Sequence, residues 1–303
     1  MTNGNGGGKI VLVKQRTADA KKFQAEKGER KMKKLLALIV TAMLAIAACV
    51  GLTACGESNQ KYVAKAIAGI DVEEYGYCIS KTATNHDGIL AAINAVIAET
   101  SIDEVVSYYT AKSKDETPSV NLNFADLSDN TAGTLDIYTC SGFEPYEFVD
   151  ESKNVIGVDI YLMELVAEKL NMKIIVHDVD FDGIVGSIAT KDNAIGAAGI
   201  TITETRKQSV DFSNAYYSSV QYIISKDSEG FTAIKDLAGK KIGVQKGTTG
   251  CNLIQEAIDS GVLKGTGATI LEYDTGAVAF TAMKQGKCDY VVIDELPAQK
   301  LVG

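Results

Sequence analysis

The chain has 303 residues, 46% hydrophobic and 23% charged, enough for one large domain or for two lobes with separate cores. Its formal net charge is -9, and basic residues gather before position 55, so the remainder is more acidic still. A body that acidic is poorly suited to nucleic acid, although acidity names no ligand.

Residues 1–31 follow no fold pattern, and translation starting at Met32 is an open alternative. Met32-Lys33-Lys34 then precedes the uncharged run Leu35–Leu52. A basic start, an apolar run and small residues describe a secretory signal. The run ends in Leu52-Thr53-Ala54-Cys55, which resembles the lipobox of bacterial lipoproteins. That resemblance implies a lipid on Cys55, which becomes the mature N-terminus anchored to the outer face of the cell membrane. A plain transmembrane anchor is the alternative, since a run of about 18 apolar residues can just span a bilayer. Of six cysteines, Cys49 and Cys55 fall in this segment. Cys78, Cys140, Cys251 and Cys288 lack metal-ligand spacing, and a disulfide among them after export is left open.

Further on, Tyr75–Ser80 reads as a strand, Gly88–Glu99 as a helix with Ile89, Ile93, Val96 and Ile97 inward, and Ile102–Tyr109 as a second helix. Ala111–Gly133 is polar and aperiodic, a linker. Strands and helices then alternate. Thr134–Thr139 is a strand and Val158–Leu170 a helix. Strands follow at Lys173–Val179 and Lys241–Gln245, and a turn at Gly247–Gly250 leads into a helix through Ile258. Thr269–Glu272 and Tyr290–Ile293 are strands, with Val278–Lys284 a helix between them. This order predicts parallel sheets covered by helices, which bind ligands at the carboxyl ends of their strands.

From Gly133 the chain resembles bacterial extracellular solute-binding protein family 3, the amino-acid-binding lipoproteins of ABC importers. The motif GITITETRKQSVDFSNAYY (Gly199–Tyr217) carries most of the likeness, with Ala215 in place of the family's usual proline. FEPYEFVDESKNVIGVDIYLMELVAEKL (Phe143–Leu170), Asp180–Gly183, DLAGKKIGVQKGTTG (Asp236–Gly250) and CDYVVIDELP (Cys288–Pro297) follow the family's order. The family continues past the last motif with a strand and two closing helices, and here Glu73–Tyr109 resembles that portion. We read a circular permutation. The alternative is a truncated gene behind debris of a neighbouring copy. Domain termini often lie close together, so permutation is physically allowed.

The resemblance implies a type II periplasmic-binding-protein fold, α/β with two lobes and a hinge. The N-terminal extension and signal occupy 1–54. The mature N-terminus and the end of lobe two occupy 55–72, and the closing segment of lobe one 73–110. A linker spans 111–132, lobe one 133–220 and lobe two 221–303. Crossing segments lie near Tyr216–Val220 and Ile70–Tyr75.

The implied ligand is an amino acid, delivered to an ABC permease by a monomer without cofactor or metal. Arg206 matches the carboxylate-binding arginine, whose guanidinium fork suits two charge-assisted bonds. Asp294 matches the ammonium-binding aspartate. Gly199 and Thr201 add a carbonyl and a hydroxyl, and Thr249 an N–H at a helix start. Phe143 and Phe181 match the rings that sandwich the ligand side chain, and Cys140 and Gln245 the positions that read it. Relatives that take cationic ligands tend to carry an acid at the place of Cys140, so a neutral or polar ligand is expected.

Each of these residues also has a bland reading: surface arginine, strand-end cap or core phenylalanine. His86 and His177 read as surface residues. No nucleophile elbow, P-loop or metal motif appears. The functional alternatives are a ligand-sensing domain, a small-acid dehydratase-like enzyme on the same scaffold, and a copy without a ligand.

Overall fold

The computed structural model describes residues 60–228, 230–231 and 233–303. The signal run, Cys49 and Cys55 lie outside them. Among the described residues no helix is long and apolar enough to cross a membrane.

In chain order the strands are β1 (Tyr62–Ala66), β2 (Glu73–Tyr75), β3 (Cys78–Ser80), β4 (Thr134–Thr139), β5 (Phe148–Val149), β6 (Val155–Ile156) and β7 (Lys173–Asp178). They continue with β8 (Ala194–Gly196), β9 (Val210–Phe212), β10 (Tyr217–Ser219), β11 (Gln221–Lys226), β12 (Lys241–Gln245), β13 (Thr269–Tyr273) and β14 (Tyr290–Asp294). The helices are α1 (His86–Glu99), α2 (Ile102–Ser113), α3 (Val158–Lys169), α4 (Ile184–Ile188), α5 (Glu204–Lys207), α6 (Thr249–Asp259), α7 (Gly276–Lys284) and α8 (Glu295–Val302).

Two five-stranded sheets organise residues 60–303. The first runs β7-β4-β8-β3-β9 and the second β1-β11-β14-β12-β13. Both are mixed, where the alternation of elements predicts parallel sheets. β4 is parallel to β7 and β8, and β12 is parallel to β13 and β14. β3 runs antiparallel to β8 and β9, and β11 antiparallel to β1 and β14. The antiparallel strands are those next to the crossings, where the chain enters a sheet from the other lobe and no crossover helix intervenes. The crossings pair with each other, β2 against β10, Tyr217 facing Tyr75.

The front segment is built into these sheets. β1 pairs along its full length with β11, and β3 lies between β8 and β9. The expected single strand Tyr75–Ser80 is two, because at Gly76-Tyr77 the chain passes from the crossing ribbon into the first sheet. A Cβ on Gly76 would sit 2.9 Å from Ile202 Cδ1. α1 buries Ile89, Ala92, Ile93 and Val96. α2 runs on to Ser113, past the expected end at Tyr109. Both join one core with Leu135, Ile137, Leu162 and Met163.

The stretch after α2 has no regular structure, but it does not hang free. Phe124 packs edge-on against Tyr161 at 5.5 Å, and Asn123 O accepts a bond from Tyr161 Oη at 2.9 Å. Asn130 Nδ2 donates to Met172 O at 2.8 Å. The expected polar linker is therefore a coil stapled along α3. α3 itself begins after Gly157 at φ 140°, where any Cβ would collide with the Tyr146 carbonyl. Cys78, Cys140, Cys251 and Cys288 are all buried free thiols, which removes the disulfide option among them.

Candidate functional site

The carboxyl ends of β4, β12 and β14 converge on a narrow, nearly filled cleft. Its wall holds all nine residues expected from sequence: Cys140, Phe143, Phe181, Gly199, Thr201, Arg206, Gln245, Thr249 and Asp294. Glu147, Ala198 and Thr248 complete it.

Arg206 sits on α5, whose N-cap Thr203 accepts the Arg206 backbone N–H. Its Nη1 donates to Thr201 O at 2.8 Å and its Nη2 crosses the cleft to Gly247 O at 3.1 Å. The guanidinium lies 5.3 Å from the centre of the Phe181 ring. Among the described residues no carboxylate pairs with it. Burial lowers its pKa from the ordinary value, and the negative groups around it, Glu73 and Asp294 included, work against that. It is a charged fork with donors to spare and no anion.

Asp294 ends β14 and is 6% exposed. Its Oδ1 accepts Tyr75 Oη at 2.7 Å and Gln221 Nε2 at 3.0 Å. Burial first, then repulsion by Glu73, raises its carboxyl to about 7. Among the described residues it has no cationic partner. The cleft therefore carries an unmatched cation on one lobe and an unmatched acid on the other.

Gly199 takes φ 52°, and a Cβ there would lie 2.6 Å from Phe143 Cε1. Its N–H is committed to Asp159 Oδ2 at 2.8 Å. Thr249 opens α6, with Thr248 capping the helix through the Cys251 N–H. Gln245 Nε2 reaches Cys140 Sγ at 3.6 Å across the cleft, and burial pushes that thiol up to about 11. Lys246 pairs with Asp182 at 2.6 Å, also between lobes. With Arg206 on Gly247, these contacts describe a closed cleft.

Sequence reading missed Glu147 on the wall and the groups behind it. Glu147 is 1% exposed, and burial first, then the neighbouring Asp159, raises its carboxyl well above the ordinary value. It stands inside the quoted stretch FEPYEF, so an acid in an apolar run was the available signal. Tyr75 and Gln221 hold Asp294 from the two crossing regions, and nothing local marks them.

The raised Asp294 carboxyl gives a pH prediction. A ligand ammonium needs the ionised form, so at low pH binding must first expel a proton. Affinity for an amino acid should fall by up to about tenfold per pH unit below 7. The folded-state value lies above the ordinary 3.8. The empty protein therefore loses stability as pH rises from about 4 to about 7, because only the folded state retains the proton in that window. Calorimetric titrations between pH 5 and pH 8 check this, and a flat profile would take Asp294 off the ligand.

Two mixed sheets joined by a crossing ribbon, with a cleft at their strand ends, define a type II periplasmic-binding-protein fold. The family model for bacterial extracellular solute-binding proteins, family 3, matches residues 135–273 and so stops short of Cys288–Pro297. A solved ancestral arginine-binding protein, bound to arginine, is 36% identical with a TM-score of 0.52, the match covering 55% of this chain and 72% of that one. The arginine-binding extracellular protein ArtP of Bacillus subtilis is 36% identical over 110 residues, 36% of this chain and 43% of the relative. A probable histidine-binding protein of Campylobacter jejuni is 32% identical over 174 residues, 57% and 64% respectively. The match thus spans less than two thirds of either curated relative. The chain belongs to family 3 of the bacterial extracellular solute-binding proteins.

Proposed function

We propose that this protein captures a free amino acid outside the cytoplasm and hands it to an ABC permease, without catalysis. One observation carries this reading. The cleft presents an anion-free guanidinium on one lobe and a cation-free buried carboxyl on the other, the complement of an α-carboxylate and an α-ammonium. Burying both ligand charges is tolerable only if each finds a partner. Arg206 takes the carboxylate and Asp294 the ammonium. Thr201, Thr249 and Gly199 supply the remaining polar contacts. Phe143 and Phe181 flank the side chain, with Cys140 and Gln245 at its tip. Closure is a population shift, since only the shut form offers both charges at once.

For the side chain we favour a neutral, polar group, because Cys140 and Gln245 bring no charge. A cationic side chain is the second reading. Glu147, a buried acid on the wall that a nearby cation would help to ionise, favours it, as do the arginine-binding relatives. A binding screen over the twenty standard L-amino acids, with glutamine and arginine as the decisive pair, separates the two.

The anchor belongs to the same reading: a lipid on Cys55 of a monomer holds it at the membrane. Lipid labelling of wild type against Cys55→Ser tests this, and label retained on the variant would assign the anchor elsewhere. The family order is proposed to be permuted, with 73–110 serving as the closing part of lobe one and 111–132 joining the older ends. The seat of β3 between β8 and β9 supports this.

A further inference from the structure

Glu73 was not among the residues expected at the site, and it does not line the cleft. It stands one layer behind, on the crossing strand β2. Its Oε2 is within 2.8 Å of the Thr201 hydroxyl and 2.7 Å of the Thr249 hydroxyl. Its Oε1 accepts Gln221 Nε2 at 3.2 Å. The same Gln221 amide donates to Asp294 Oδ1 at 3.0 Å, so one NH₂ group bridges two acids. Thr201 belongs to lobe one, Thr249 and Gln221 to lobe two, and Glu73 to the ribbon between them.

A hydroxyl has one proton to give and two lone pairs to offer. An ionised carboxylate only accepts. Both threonine hydroxyls therefore point their protons back at Glu73. Their oxygens, 3.4 Å apart across the cleft, present lone pairs forward. Gln221 agrees with this sense, since its Nε2 also approaches the Thr249 oxygen at 3.5 Å. Both threonines line the cleft together with Asp294.

We infer that Glu73 is a positioning residue that turns Thr201 and Thr249 into acceptors and so makes this end of the cleft specific for an ammonium. This rests on the amino-acid reading of the site. It adds that recognition of the ammonium depends on a residue of the front segment, which acts through two hydroxyls without touching the ligand itself.

Glu73→Gln is the informative change. The acid has two acceptor oxygens, and both are used. A glutamine has one, so either the threonines or Gln221 must face an NH₂ group. If the threonines do, their protons turn into the cleft against the ligand's N–H groups. Affinity for the best amino acid from the screen should fall roughly ten- to hundredfold. Affinity for the matching carboxylic acid without its α-amino group should stay unchanged, because Arg206 is untouched. Circular dichroism and melting confirm the fold.

A second readout needs no ligand. Carbon-detected NMR titration of the empty protein follows the Asp294 carboxyl, whose midpoint should drop when the neighbouring charge is removed. Unchanged amino-acid affinity in Glu73→Gln, equal loss for both ligands, or an unmoved Asp294 midpoint would each overturn the inference. If wild type binds no amino acid, the proposed function fails and the inference falls with it, whereas a wild type that binds while Glu73→Gln binds equally well overturns the inference alone.

Discussion

Arg206→Ala should abolish amino-acid binding while leaving the fold intact. The guanidinium makes two bonds to backbone carbonyls, one in each lobe, and no ion pair with a described residue. Little of the fold depends on it. A bound ligand carboxylate, by contrast, would lose the one cation that the described residues place on the wall of the closed cleft. Removing one partner of such a pair costs about 2–5 kcal/mol, or tens to thousands of fold in affinity. Calorimetry on the folded variant checks this. Near-normal affinity would remove Arg206 from the site. A variant that fails to fold would mean that the bonds to Thr201 and Gly247 matter more than their geometry indicates.

Deleting residues 60–115 should give an insoluble or molten product. The segment contributes β1 at an edge of the second sheet and β3 in the interior of the first. Without β3, β8 and β9 lose the strand between them and both expose unpaired edges. α1 and α2 would leave the apolar face of α3 uncovered. Tyr75, Tyr77, Ile79, Ile89 and Ile93, each fully buried, go with them. At about 1.5–3 kcal/mol per buried side chain, their loss is comparable with the 5–15 kcal/mol of a typical domain. Returning the same residues behind Gly303 should restore a folded binder, as expected if the order is permuted. Analytical ultracentrifugation and cooperative melting distinguish the outcomes. A deletion product that melts cooperatively and binds as well as the whole chain would reduce the front segment to a bystander.

What the sequence reveals follows the range of the interactions involved. β4, TLDIYT, alternates buried and half-buried side chains, so its period alone locates it. α3 is legible as an apolar stretch of helical length rather than by period, since Val158 through Met163 are all buried. The nine expected wall residues come from the resemblance to the family's short motifs, which fall at strand ends and turns. The parts that were not legible depend on distant partners. Asp294 is readable as a strand-end acid, but Tyr75, 219 positions away, sets its environment. Glu73 reads as one more surface acid until β2 is seen crossing between Thr201 and Thr249. β1 has no strong alternation because it is a sheet edge, defined by β11 rather than by its own side chains. The coil after α2 looks like a linker because its anchors, Phe124 and Asn130, are isolated among polar residues. The expectation of parallel sheets failed where the chain changes lobes, a property of topology that local periodicity does not carry.

The cleft, on the proposed reading, is a binding site for a free amino acid. Thermal melting of the wild-type protein with each of the twenty standard L-amino acids at millimolar concentration tests it most directly. Ligand that binds only the folded state raises the midpoint, by about 2.7 kcal/mol of added stability at a hundred times Kd. At least one amino acid should give such a shift, and Arg206→Ala should lose it. Twenty unshifted midpoints, from a protein that melts cooperatively, would contradict the account.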